Sequence, residues 1–315
     1  MSSSGIVVVG SLNADLTIYT ERLPQPGETV HGNGFAVNPG GKSANQAVAA
    51  SKLGGRVSLI GAVGEDPNGT MLLDSTANAG VDVSRVRRSD AATGVAVISV
   101  DANGENSIII SAGANGTLSP ADVDFAAFRD AAVVCLCLEV GIDTVVAAAQ
   151  AGHDAGATVL LNLSPYAEVP QLLAGLSDVL LVNAHEAALF LGSEADIPAS
   201  DADAEAWEPV RSQFADRGLH RVLVTLGSQG SVVLDSLARG TQEQLTRIAP
   251  TRVNAVDTTG AGDAFTGAVA ARLAAGDSLA EAASFASVAA ALAATKKGTQ
   301  AAYATLEEVE AARTS

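Results

Sequence analysis

The stretch Val256–Phe265 (VDTTGAGDAF) gathers the residues of this chain best able to do chemistry. A strand-like run, an acidic residue, two threonines and a Gly-Ala-Gly turn lead into Asp263, and an Ala-rich apolar segment of helical period follows over Ala264–Ala275. Gly260, Ala261 and Gly262 leave a helix N-terminus stripped of side chains. Its unpaired N–H groups and the positive end of the helix dipole can hold a phosphate-like anion. Asp263 in the same turn would repel that anion, unless its task is to take a proton from a hydroxyl that attacks the phosphorus. An aspartate that merely caps the helix is the plainer alternative.

Other polar clusters interrupt the apolar pattern. The first strand, Gly5–Gly10, runs into Ser11-Leu12-Asn13-Ala14-Asp15 without the G-x-G-x-x-G of a dinucleotide site, which is thereby excluded. Asn13 and Asp15 lie two apart at that strand's carboxyl end, so both can face one crevice, where an amide and a carboxylate suit adjacent sugar hydroxyls. An Asx turn explains either residue singly. Asn38-Pro-Gly-Gly-Lys-Ser-Ala-Asn45 precedes a helical segment over Ala44–Leu53 and lacks Walker spacing. Its paired glycines let backbone amides touch a polar ligand, while Lys42 and Asn45 add a charge and an amide. Glu139 ends another strand, and Thr225-Leu-Gly-Ser-Gln-Gly230 closes a further one. Asn183 and Glu186, three apart at a helix start, can reach a metal-bound water or a phosphate, although helix capping also explains them.

The elements that must position these residues alternate. Strands over Val57–Ala62, Val133–Leu138, Thr158–Asn162, Val179–Val182 and Val222–Leu226, with helices near Asn68–Ala79, Asp143–His153 and Ala184–Leu191, predict an α/β fold. The sheet should be doubly wound and mostly parallel, flanked by helices, with its ligand crevice at the strands' carboxyl ends. Thr93–Ser111 reads instead as a hairpin turning at Asp101–Glu105. With Leu16–Tyr19 and Thr29–Val37 it should form a small separate sheet, a lid drawn from about 15–37 and 93–111 of a single domain spanning 1–315. In Val95–Ile98 and Ile108–Ile110 both faces are apolar. One can cover a substrate, and the other, exposed in a monomer, predicts a homodimer through the lids.

Composition narrows the partners. The formal charge of −17, from 35 acids against 18 Lys and Arg, argues against nucleic acid and anionic membrane surfaces. No apolar run approaches the roughly 20 residues that span a bilayer, and the start lacks a basic signal region, so a cytoplasmic protein is expected. Cys135 and Cys137 point the same way along one buried strand and read as core packing.

In order along almost the whole chain, GSLNAD, PGGKSANQA, ENSIIISAGAN, LNLSP, VNAHEA, TLGSQG, VDTTGAGDAF and ATKKG make the sequence resemble the ribokinase family of carbohydrate kinases, also called the PfkB family. Asn13-x-Asp15 with Gly40-Gly41-Lys42 is similar to the family's kinases of free ribose rather than those of fructose or phosphosugars. The resemblance implies ATP-dependent phosphoryl transfer to the 5-hydroxyl of ribose, with Asp263 as base and Gly260, Ala261 and Gly262 as anion hole. It implies that Asn13, Asp15, Gly41, Lys42, Asn45 and Glu139 line the sugar pocket. ATP would be held by Asn183, Thr225, Gly227, Ser228, Gly230, Gly262 and Ser287, with Asn183 and Glu186 organising Mg²⁺. A monovalent cation, K⁺, is implied beside Asp257, Thr259, Ala293, Lys296, Gly298 and Ala302. Asp257, just before the glycine turn, is expected to be buried and so to need a partner, for which a cation is the preferred reading and a lysine or local N–H groups the plainer alternative. The chain departs from the family pattern at Ser43, Val182, Gln229 and Ala302, the last a methyl where a hydroxyl is usual. A nucleoside kinase is the nearest alternative, although 3% aromatic content offers few faces for a base. A kinase of another pentose, or a binding protein that has lost catalysis, is the remaining reading.

Overall fold

The computed structural model describes residues 5–103, 105–192 and 196–314, so the Met1–Ser4 start and Gly104 of the hairpin turn lie outside it. In chain order the strands are β1 (Gly5–Val9), β2 (Asn13–Thr20), β3 (Gly32–Gly40), β4 (Arg56–Gly64), β5 (Asp82–Ser89), β6 (Gly94–Val100) and β7 (Asn106–Ser111). There follow β8 (Ala131–Leu136), β9 (Thr158–Asn162), β10 (Val179–Asn183), β11 (Arg221–Thr225), β12 (Ser231–Asp235) and β13 (Leu245–Ile248). The helices are α1 (Lys42–Lys52), α2 (Pro67–Asn78), α3 (Ile142–Asp154), α4 (Gln171–Leu176), α5 (Ala184–Leu191), α6 (Glu208–Asp216), α7 (Thr241–Gln244), α8 (Ala261–Ala274), α9 (Leu279–Ala294) and α10 (Leu306–Thr314).

A 9-stranded sheet in the order β13-β12-β11-β10-β9-β8-β1-β4-β5 forms the centre, parallel throughout except for β12 and β13 at one edge. Alternation along the strands divides the core in two. Ile6, Val8 and Cys135 pack with α1, α8 and α9 on one face, while Val7, Val9 and Val134 pack with α3 and the elements around it on the other. With both faces covered, the central strands read as unbroken apolar runs. The edge strand β5 (DVSRVRRS) escapes that pattern because its arginines reach solvent and acids; Arg87 Nε donates to Asp122 Oδ1 at 2.7 Å.

Four strands in the order β3-β2-β6-β7 make the second sheet, with β2 and β6 parallel and the outer pairs antiparallel. Its existence follows the sequence reading, but Asn13 and Asp15 do not end a core strand. Strand β1 stops at Val9, and the two residues open β2 in the small sheet, beside Gly40 and Asn38 of β3 and Gly94 and Ala96 of β6. The chain turns between the sheets because Asn115 bridges it: its Oδ1 accepts from Leu12 N and its Nδ2 donates to Leu12 O, both at 3.0 Å.

Helix α8 begins at Ala261, three residues before the expected start, because Gly260 adopts φ 73° and serves as N-cap in a left-handed conformation that costs glycine nothing. Small residues then bring α8 hard against α1. A Cβ on Gly267 would lie 2.5 Å from Gln46 O and 2.7 Å from Ala49 Cβ. Gly267→Ala is therefore expected to push the two helices apart at a cost of about 1–3 kcal/mol, read as a lowered urea midpoint. An unchanged midpoint would show that the crossing yields freely.

Candidate active site

Asp263, in the first turn of α8, is 7% exposed and held by two amides of α1. Asn45 Nδ2 donates to its Oδ2 and Gln46 Nε2 to its Oδ1, each at 3.0 Å. Burial pushes its carboxyl above the usual range, and Lys42, Asn45 and Gln46 pull it back without cancelling the rise. A carboxylate made more basic by its surroundings is a better proton acceptor at neutral pH. Lys42 is deeply placed as well. Burial opposes its charge, but Asp263 and Glu139, with lesser help from Cys137 and Glu186, leave its ammonium raised above the ordinary value.

Glu139 closes the cluster from the loop after β8. Its Oε2 accepts from Ser11 Oγ at 2.5 Å and from the backbone N of Lys42 at 3.0 Å. The N-cap of α1, Gly41, has no side chain to offer, so Glu139 satisfies an amide of that helix from another element. Gly41 sits at φ 90°, where a Cβ would run into Asn13 N at 2.7 Å. Asn13 Oδ1 accepts from Asn115 Nδ2 at 2.8 Å, an approach that Gly94 permits by lacking a Cβ. The Asp15 carboxylate lies against Gly40, where again no Cβ fits. Burial, then the neighbouring Glu139 and Asp263, push the Asp15 carboxyl up to about 7 against the pull of Lys42. Asn13, Asp15, Gly41, Lys42, Asn45 and Glu139 thus cluster around Asp263, which is where the sequence reading expects a sugar.

At the turn before α8 one expected amide is already used. Ala261 N donates to Thr258 O at 3.1 Å, leaving those of Gly262 and Asp263 as the first-turn amides with no acceptor within the helix. Beyond its chain neighbours and its own helix backbone, no heavy atom lies within 4 Å of where a Cβ on Gly262 would stand, so the backbone there is open to a ligand. Tyr303, buried from the far end of the chain, donates its hydroxyl to Gly260 O at 3.2 Å and underpins the turn.

The nucleotide-side residues lie at the carboxyl ends of β10 and β11, where Asn183 and Thr225 are register partners. Asn183 and Glu186 form a reciprocal capping box at 2.8 Å each way, so the capping explanation of this pair is realised, with Glu186 Oε1 left over. Gly227 and Ser228 are exposed, and Gly230, at φ 88°, passes so near Ile248 O that a side chain is excluded. Ser287, on α9, donates to Ala249 O at 3.2 Å.

Around Asp257 the outcome differs from the premise. The carboxylate is half-buried, not buried, and local N–H groups partner it: Thr259 N at 2.9 Å and Gly298 N at 3.0 Å. Burial would raise its carboxyl, but these donors and Lys297 hold it below the usual range. The Ala293 carbonyl already accepts from Lys296 N at 3.3 Å, and Ala302 N donates to Thr299 O at 2.9 Å.

Sequence reasoning missed Gln46, Asn115, Gln300 and Tyr303. Gln300 Nε2 donates to Asn45 Oδ1 at 3.1 Å and so orients a sugar-pocket amide from 255 residues away.

A family model for pfkB family carbohydrate kinase matches residues 3–306. The chain belongs to the pfkB family of carbohydrate kinases. A ribokinase of Schizosaccharomyces pombe is 36% identical over 314 residues, covering 97% of this chain and 96% of its own. A deoxyribokinase of Salmonella typhi is 35% identical over 310 residues, 96% of each. The solved structure of Arabidopsis thaliana ribokinase complexed with ribose and ATP matches with a TM-score of 0.87 at 32% identity over 98% of both chains. As a pfkB family carbohydrate kinase, this chain presents the Asp263 crevice as its candidate catalytic centre.

Proposed function

We propose that this protein transfers the γ-phosphoryl group of ATP to the 5-hydroxyl of D-ribose, giving ribose 5-phosphate and ADP. One observation carries the reading: a buried carboxylate, Asp263, stands in the first turn of a helix with open amides, hydrogen-bonded to Asn45 and within electrostatic reach of Asp15, Lys42 and Glu139. The 5-hydroxyl gives its proton to Asp263 as its oxygen bonds to the γ-phosphorus, and the bond to the β–γ bridging oxygen breaks, releasing ADP. Amides of Gly262 and Asp263 meet the charge on the transferred oxygens, where the helix dipole adds to them. Thr225, Gly227, Ser228, Gly230 and Ser287 would hold the nucleotide.

Among the described residues no group of three or more His, Cys, Asp or Glu is arranged to hold a metal ion. Mg²⁺ suits this arrangement when it arrives on the phosphates, with Glu186 and Asn183 holding its waters, and it would neutralise phosphate charge there. K⁺ is proposed beside Asp257, with carbonyls of Thr259, Ala293, Lys296 and Gly298 and a weakened place at Ala302. Among the described residues no helix is long and apolar enough to cross a membrane. A cytoplasmic location fits a kinase drawing on ATP.

The small sheet would act as a lid over the sugar, keeping water from the phosphoryl group. Its edge strand β7 is exposed along its whole length, with Ile108 at 51%, Ile109 at 70% and Ile110 at 50%, and Phe35 of β3 is 63% exposed. An apolar edge of that kind invites a partner strand. A second copy of the same lid supplies one with matching chemistry, which gives a homodimer.

ADP release measured with D-ribose, 2-deoxy-D-ribose, hexoses and nucleosides is expected to be fastest with D-ribose, and Asp263→Asn should lower kcat by about 10² to 10⁴ with little loss of binding. Release with a nucleoside but not ribose would establish the nucleoside kinase instead, and no ATP consumption with any acceptor would point to a binding protein. Turnover in Tris buffer at constant ionic strength should rise with K⁺ more than with Na⁺, the more so in Ala302→Ser; equal rates with and without either ion would exclude the site. Sedimentation at micromolar concentration should give a dimer, and a monomer alone would remove the lid interface.

A further inference from the structure

Two successive residues of α1 grip the two oxygens of one carboxylate, and they are not equivalent. Both are buried, Asn45 at 4% and Gln46 at 1% exposure, but their outer partners differ: Asn45 meets Gln300, and Gln46 meets a thiol of the central sheet. Gln46 Nε2 donates to Asp263 Oδ1 at 3.0 Å, while its Oε1 accepts from the thiol of Cys135 at 3.3 Å.

We propose that Gln46 is a positioning residue for Asp263, with its amide fixed in one orientation by the Cys135 thiol so that the carboxylate keeps a single open side, toward the acceptor hydroxyl. The inference rests on the reading of Asp263 as the catalytic base. A reversed amide would set Oε1 against Asp263 Oδ1, two acceptors face to face, and leave the thiol without its partner. The thiol itself is inert, since burial pushes it well above the ordinary cysteine range and keeps it a donor. On the opposite side Gln300 does the same for Asn45, its Nε2 donating to Asn45 Oδ1 at 3.1 Å, with Ser75 Oγ 3.4 Å from Gln300 Oε1. Asp263 thus accepts from two amides whose own orientations are set by donors further out. A carboxylate so held retains one lone pair on each oxygen for the incoming proton.

The groups facing Asp263 are Lys42, Asn45 and Gln46 from α1, Cys135 from β8, Glu139 from the loop that follows, Asp15 from β2 and Tyr303 from the chain after α9. Gln46 favours the charged form of Asp263. Removing its donor must therefore raise the pH at which Asp263 ionises, and the acid limb of the reaction moves the same way.

The test is the pH dependence of single-turnover ADP formation with D-ribose and MgATP, which product release does not mask. Gln46→Met keeps the volume and removes the donor. It should shift the acid limb upward by about one pH unit, with the KM for ribose changed by less than about twofold. Cys135→Ala frees the amide and should give a smaller shift of the same sign, and it decides the matter if Gln46→Met does not fold. Carbon-13 titration of the aspartate carboxyls in the free proteins reads the same shift without turnover. A limb and a titration that stay in place in folded variants would overturn the role of Gln46, even where kcat or thermal stability falls. Near-normal turnover in Asp263→Asn would instead overturn the base itself.

Discussion

The burial of one carboxylate organises this molecule. A charged group 7% exposed is stable only with partners that replace water, and the three groups that favour the charged form of Asp263, namely Lys42, Asn45 and Gln46, all come from α1. Those contacts demand that α1 and α8 nearly touch, which Gly267 and the alanines facing it allow. The composition follows from that demand. With 48% hydrophobic but 3% aromatic residues, the chain fills its core with small side chains and packs helices closely rather than wedging them apart.

The sugar-facing half of the crevice depends on a different element. Asn13 and Asp15 belong to β2 of the small sheet, while Lys42, Asn45 and Asp263 belong to helices on the large one. The crevice is therefore assembled across two sheets, and its geometry is set by whatever joins them. Asn115 ties Leu12 and Asn13 together, Thr299 Oγ1 donates to Pro39 O at 3.0 Å, and glycines at 40, 41 and 94 let these strands approach without side chains between them. Lys52 adds a further tie, donating to Gln300 O at 2.8 Å and Tyr303 O at 3.0 Å. The segment from Thr299 to Tyr303 consequently touches β3, Asn45 and Gly260 at once.

What could be read from the sequence was local. Asp263 behind Gly-Ala-Gly, and Lys42 and Asn45 behind Gly-Gly, each stand out against apolar surroundings within a few residues. Asn13 and Asp15 were legible as a pair facing one way, but not as the opening of β2, because a period of two looks the same before and after the break at Gly10. The edge strand β5 stayed hidden, since a strand with three arginines has no apolar face to announce it. Gln46, Gln300, Asn115 and Tyr303 were out of reach for another reason. Each acts through a partner on another element, and nothing in the spacing around an isolated amide or phenol says which distant group it will meet. Asn183 and Glu186 were seen, yet their capping box explains the motif without a ligand.

Charge decides the last question, the kind of acceptor the crevice accepts. The chain carries a formal charge of −17, and within the crevice Asp15, Glu139 and Asp263 face a single ammonium, that of Lys42. The amides of Gly262 and Asp263 at the start of α8 are the groups placed to meet phosphate charge. Three carboxylates around the sugar would repel a second phosphate, and their mutual repulsion, on top of burial, is what carries the Asp15 carboxyl up to about 7. Hydroxyl groups relieve that strain by donating hydrogen bonds to the carboxylates without adding negative charge. The balance of groups in the crevice therefore favours an uncharged polyol as acceptor and disfavours a sugar phosphate, a selectivity built from surplus negative charge rather than from any one contact.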